Sequence, residues 1–178
     1  IVTDHHLPVH KDDGEAFLEK GVLSGSYVIP PAVAVLNSKK DVCLYPDNML
    51  CGCAVAWKLV TAILSYTRKE DVSHITSVSY ETVLEKVKAL GGGHEKWYLD
   101  LVGISTVADM VPLQKENRVL AHFGLKVLRK TKRLGLNHLF LEQRMRKDLL
   151  TEDDIAFTIA PRINAASRMG DPILAHKA

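Results

Sequence analysis

A chain of 178 residues can hold one globular domain with a sizeable core, and a composition that is 47% hydrophobic and 25% charged excludes disordered and collagen-like classes. The net charge of +2 permits a polyanionic partner without demanding one. No apolar run reaches membrane-span length and no signal stretch opens the chain, while Cys43, Cys51 and Cys53 lack a disulfide-framework spacing, which points to a reducing, cytoplasmic setting.

Ile1-Val2-Thr3 reads as a buried strand running straight into Asp4-His5-His6, and a chain that opens inside a strand is expected to be a piece of something longer. Ile173-Leu174-Ala175 likewise reads as a helix barely begun. After a proline pair, Ala32 to Leu36 is predicted as a strand, with Asn37-Ser38-Lys39-Lys40 as its exit loop. Cys51-Gly52-Cys53 could hold a metal or a redox pair, but without a second cysteine pair it is read as small residues at a tight turn. Gly52 to Tyr66 carries Val55, Leu59, Ala62, Ile63 and Tyr66 at helical spacing. Arg68 to Ser79 is polar and reads as a loop or insertion, and Glu81 to Leu90 as a short amphipathic helix ended by Gly91-Gly92-Gly93.

Tyr98 to Ala108 is predicted as a tightly packed helix with Leu101, Ile104, Ser105 and Ala108 on one face and small residues at the contact. Asn117 to Lys130 is expected to turn Val119, Leu120, Phe123, Val127 and Leu128 inward, and Leu134 to Arg144 to form the next helix. Thr151-Glu152-Asp153-Asp154 reads as a capped helix start. Strands alternating with helices predict an α/β fold, a layered, largely parallel sheet flanked by helices.

Three constellations can carry chemistry. Asp4-His5-His6 at a strand end would put an acid and two imidazoles at the carboxyl edge of a parallel sheet, a donor set suited to manganese, zinc or iron; the other reading is a solvent loop. Asp109 stands alone in the apolar run Val102 to Leu113, as a ligand or as a cap for the turn before Pro112. Arg162, Asn164 and Arg168 sit among small residues, where guanidinium forks match phosphate oxygens, or else are surface groups on a loop. Lys126, Arg129, Lys130 and Arg133 fall at the spacing of one helical stripe, which would follow a nucleic-acid backbone or be merely solvated.

In order, Asp4-His5-His6, then Gly-x-x-x-x-Ala-Asp-x-Val-Pro-Leu from Gly103 to Leu113, then Pro161-Arg162-Ile163-Asn164-Ala165-Ala166-x-Arg168-Met169 resemble the DHH phosphoesterase superfamily. The likeness is nearest to its RecJ branch of single-strand-specific 5′-to-3′ exonucleases. It covers nearly the whole chain, read as a partial DHH-type catalytic domain with an inserted region at about 68–97.

The resemblance implies His5 and Asp109 as metal ligands, with His6 beside the metal pair and the scissile phosphate; these three would be the catalytic residues. It implies Asp4 as the acid supporting the histidines, and His6, Arg162, Asn164 and Arg168 as substrate contacts. The cofactor would be a pair of Mn2+ or Mg2+ ions, and the partner single-stranded DNA. The activity would be phosphodiester hydrolysis in DNA repair and recombination. A DHH phosphodiesterase on short oligonucleotides, cyclic dinucleotides or pyrophosphate is the alternative.

Departures from the family pattern are Ala54 and Ser167, where glycine is usual, and Ser38, where proline usually follows the Asn. The family's upstream Asp-x-Asp motif is absent from these 178 residues, so the piece by itself is expected to be inactive and to bind metal weakly. Gly91-Gly92-Gly93-His94 looks like the Gly-rich His motif of the family's second domain, but it precedes Asp109 and is read as a helix terminus.

Overall fold

β-Branched residues open the chain as a strand, though not the buried one expected: β1 (Val2–Thr3), half-buried with Ile1 exposed, pairs in parallel with β5 (Val35–Leu36), Val2 opposite Val35. The computed structural model describes residues 1–13, 22–24, 26–41, 43–69 and 85–169. Between the two parallel strands, β2 (Val9–His10), β3 (Val22–Ser24) and β4 (Tyr27–Ile29) form a separate antiparallel sheet in the order β2-β4-β3. The strand expected from Ala32 shrinks to two residues. Pro30 and Pro31 offer no N–H to a ladder, and residues 31–33 form a bend.

The described residues are otherwise helical, which corrects the expectation of a layered parallel sheet: among them the parallel pairing is this one pair of strands. Helix α1 (Gly52–Lys69) starts at the predicted glycine. Residues 85–89 are helical and Leu90 forms a bend, while 81–84 of the predicted 81–90 helix, like most of the polar stretch before it and Ile173 to Ala175, lie outside the described residues. Gly93, in the left-handed region at φ 83°, turns the chain into a 3-10 helix (His94–Tyr98) that leads into α2 (Leu99–Ala108). Then follow α3 (Lys115–Leu128), α4 (Leu134–Glu142), a short α5 (Glu152–Asp154), a π-helical stretch (Ile155–Ile159) and α6 (Ala160–Arg168). Thr151 caps α5 with the predicted reciprocal box, bonding Asp154 in both directions.

Helix α2 is the axle. Leu99 and Val102 pack with Leu50, Cys51, Ala54, Val55 and Leu120 on one side, and Ile104 with Leu128, Phe140, Leu150, Ile155 and Ile159 on the other. Gly103 and Gly124 face each other, and a Cβ built on Gly124 would lie 2.5 Å from Gly103 Cα. That backbone contact selects the face of α3 that turns inward: Asn117, Leu120, Gly124 and Leu128 are buried, whereas Val119 and Phe123, expected inside, are about half exposed. In α2, for the same reason, Leu101 and Ser105 yield to Leu99, Val102, Gly103 and Thr106.

The basic stripe does not form. Helix α3 ends at Leu128, after which Arg129 donates to the carbonyl of Leu150 and Arg133 to the carboxylate of Asp100.

Candidate metal centre

Asp4 leaves β1 by donating its N–H to the carbonyl of Leu36 at 3.0 Å, so the parallel pair sets where the next residues emerge. Its Oδ1 then accepts from the His5 N–H at 2.8 Å, the His6 N–H at 3.3 Å and His6 Nδ1 at 2.7 Å. Burial pushes the Asp4 carboxyl up, but the bonds from His6 and from the His5 backbone outweigh it and hold the group below the usual carboxylate range. Because Nδ1 of His6 serves this carboxylate as donor, Nε2 is the nitrogen left to ligate or accept. Ligand atoms of Asp4, His5 and His6 lie within 4.8 Å of one another, close enough that they could hold one cation.

His5 points to another part of the chain. Its Nε2 stands 3.3 Å from Oδ2 of Asp109, at the C-terminus of α2. The backbone N–H of Asp109 closes the helix on Ser105, while its carboxylate, 35% exposed, faces an imidazole 104 positions away in sequence.

The site has supports that the sequence did not expose. A Cβ on Gly52, the first residue of α1, would sit 2.8 Å from His5 Nδ1, so the imidazole rests against the helix start only because that residue has no side chain. Cys51, buried beneath it, is 3.5 Å from the Thr106 hydroxyl and ties α1 to α2. Cys51 and Cys53 are free thiols at a helix start rather than at a turn. Asn37, also buried, donates from Nδ2 to the carbonyl of His6 at 2.8 Å and accepts the Lys39 N–H at 2.9 Å. The exit loop of β5 thereby clamps the Asp-His-His segment. Beside it opens a cleft of about 330 Å³ bounded by Asp4, His6, Val28, Pro30, Asn37 and Lys40.

The late motif is placed less closely. Arg162, Asn164 and Arg168 are exposed on α6, whose helix packs on α2, and Arg162 bonds the carbonyl of Thr158 one turn earlier. The structure thus brings Asp4, His5, His6 and Asp109 together and leaves Arg162 and Arg168 exposed on α6.

No protein-family model matches the chain. Over 170 residues, 95% of its length, it is 32% identical to the single-stranded-DNA-specific exonuclease RecJ of Haemophilus influenzae. The chain is homologous to a segment of RecJ. The RecJ proteins of Bacillus subtilis and Escherichia coli are each 31% identical to it over 95% and 96% of the chain. These relatives are longer: the chain spans 24%, 16% and 25% of their respective lengths. With 95% of the chain aligned, the Asp109 region lies within the segment shared with RecJ.

Proposed function

We propose that this chain is the metal-holding segment of a DHH-type hydrolase that cleaves phosphodiester bonds in single-stranded DNA from the 5′ end. The observation that carries the reading is the His5 to Asp109 approach. Two ligands of one divalent ion, each bonded at about 2.1 Å and near a right angle, stand about 3 Å apart. The 3.3 Å separation between Nε2 and Oδ2 fits that geometry. The donor set, imidazole with carboxylate, suits Mn2+ and tolerates Mg2+.

Each side chain then has a task. His5 and Asp109 hold the ion, and Gly52 leaves room for the His5 ring. Asp4 orients the His6 ring through Nδ1, and Asn37 holds the His6 backbone in place beside the reacting phosphate. The cleft next to His6 has room for the sugar or base of the nucleotide being cut. On α6, Arg162 and Arg168 meet phosphate oxygens and Asn164 supports them. Divalent ions held there would supply Lewis-acid charge and would lower the pKa of water at the site. In the longer protein β1 and β5 belong to a larger parallel sheet, and residues 1–178 are one stretch of its catalytic domain.

The test is made in a RecJ-length protein carrying this segment. There, His5→Ala and Asp109→Ala each abolish Mn2+-supported degradation of a labelled single strand. Near wild-type rates in either variant would remove that residue from the ligand set.

A further inference from the structure

A second cleft, of about 370 Å³, lies at the other end of α2 from Asp109, between the 3-10 helix and the link from α3 to α4; His94, Trp97, Asp100, Thr131, Lys132 and Arg133 line it. Its floor is saturated. Asp100, 2% exposed, accepts from Thr131 Oγ1 at 2.7 Å, Arg133 Nε at 2.9 Å and the Leu101 N–H at 2.7 Å. The buried negative charge is therefore matched by Arg133, whose guanidinium also lies 5.7 Å from the Tyr98 ring and keeps its terminal nitrogens for other partners. Lys132 is exposed at the rim and His94 half-buried, so the lining carries a positive excess.

Trp97 is the other half of the site. Its indole is 50% exposed, yet the turn that carries it is fixed: Gly93 bends the chain and the Trp57 indole donates to the Glu95 carbonyl at 2.8 Å. A rigidly held, half-exposed aromatic face beside a lysine and a guanidinium matches a flat base with a phosphate attached.

We propose that this cleft binds one nucleotide of a single strand, with the base stacked on Trp97 and a phosphate at Lys132 and Arg133. Asp100 and Asp109 are nine residues apart on one helix line, which at 1.5 Å per residue is about 13 Å. The cleft is thus a separate station for a strand whose scissile phosphate lies at His5. This assignment of the occupant as a strand rests on the reading of the substrate as single-stranded DNA.

The test is anisotropy of a labelled oligothymidylate titrated with the whole chain in EDTA, where cleavage cannot contribute. Trp97→Ala should weaken binding at least about fivefold, the low end of what one lost base stack gives, and Trp97→Phe should restore most of it. Lys132→Ala should weaken binding and reduce the salt slope by about one ion. The oligonucleotide should quench the tryptophan emission of the wild type, and Trp97→Phe should abolish that quench.

Wild-type affinity in both Trp97→Ala and Lys132→Ala, no binding by the wild type, or a quench that is absent or survives Trp97→Phe would each overturn the proposal. Thymidine monophosphate competing as well as the strand would overturn its strand part and leave a mononucleotide pocket. Binding in EDTA reads the cleft alone, whereas the metal assignment is read as Mn2+-supported cleavage lost in His5→Ala and Asp109→Ala, so a failed metal assignment and a failed cleft assignment give different results.

Discussion

Replacing Gly124 by alanine tests whether a glycine contact sets the crossing of α2 and α3. The new methyl would stand 2.5 Å from Gly103 Cα and 2.7 Å from the Leu99 carbonyl oxygen. Carbon atoms rest at about 3.5–4.0 Å, so the helices must separate by roughly 1 Å. Both obstacles are backbone atoms and cannot rotate away. Overpacking of this kind costs about 1–3 kcal/mol, and alanine recovers at most about 1 kcal/mol through helix propensity. The net loss is about 1–2 kcal/mol, or a Tm lower by about 2–8 °C in a domain of this size.

Urea and thermal melts followed by circular dichroism measure it, with Gly92→Ala as the comparison. A Cβ there meets nothing within 4 Å, and the change should stay within about 0.5 kcal/mol. Since α2 ends at Asp109, the same separation should shift that carboxylate from His5 and weaken Mn2+ binding. A Gly124→Ala protein as stable as the wild type would refute the argument, because the steric cost would then be no larger than the propensity gain.

Gly52→Ala should leave the melting transition nearly unchanged but lower Mn2+ affinity about tenfold, since the methyl displaces the His5 ring; paramagnetic resonance titration reads this, and unchanged affinity would mean the ring has another place to rest. Asn37→Ala removes the donor to the His6 carbonyl and should cost about 1–2 kcal/mol, with faster amide exchange at residues 4–6; protection equal to the wild type would show that the clamp is dispensable. Burial, with help from Cys51 and Asp109, pushes the Cys53 thiol up from 9.0 to about 11. The unfolded thiol ionises first, so stability contributed by this group is intact below about pH 9 and falls as pH rises to about 11, by at most about 3 kcal/mol. Cys53→Ala should flatten the fall in urea midpoint across that window, and an unaltered pH profile would contradict the assignment.

Much was legible in the residues themselves because it is local. The helix start at Gly52, the Thr151 cap with its acids and the short strand before Asp4 each depend on neighbours within a few positions. Asp4-His5-His6 belongs to this class as well, since one carboxylate oxygen organises the whole tripeptide. The spacing of small residues in Val102 to Ala108 foretold close packing, though not its partner.

What the chain alone left undecided depends on contacts between distant segments. Periodicity placed Val119 and Phe123 inside, but helix α3 has apolar residues on more than one face, and the backbone approach of Gly124 to Gly103 chose among them. Arg129 and Arg133 read as a free stripe until the end of α3 and the buried Asp100 gave them partners. Asp109 could cap or ligate on the sequence, and only the packing of α2 against α1 brings it to His5. Residue types and local spacing therefore showed which groups are candidate ligands, while the packing of α2 against α1 decided that His5 and Asp109 face each other, because a 3.3 Å approach between residues so far apart in sequence is a property of packing and not of spacing.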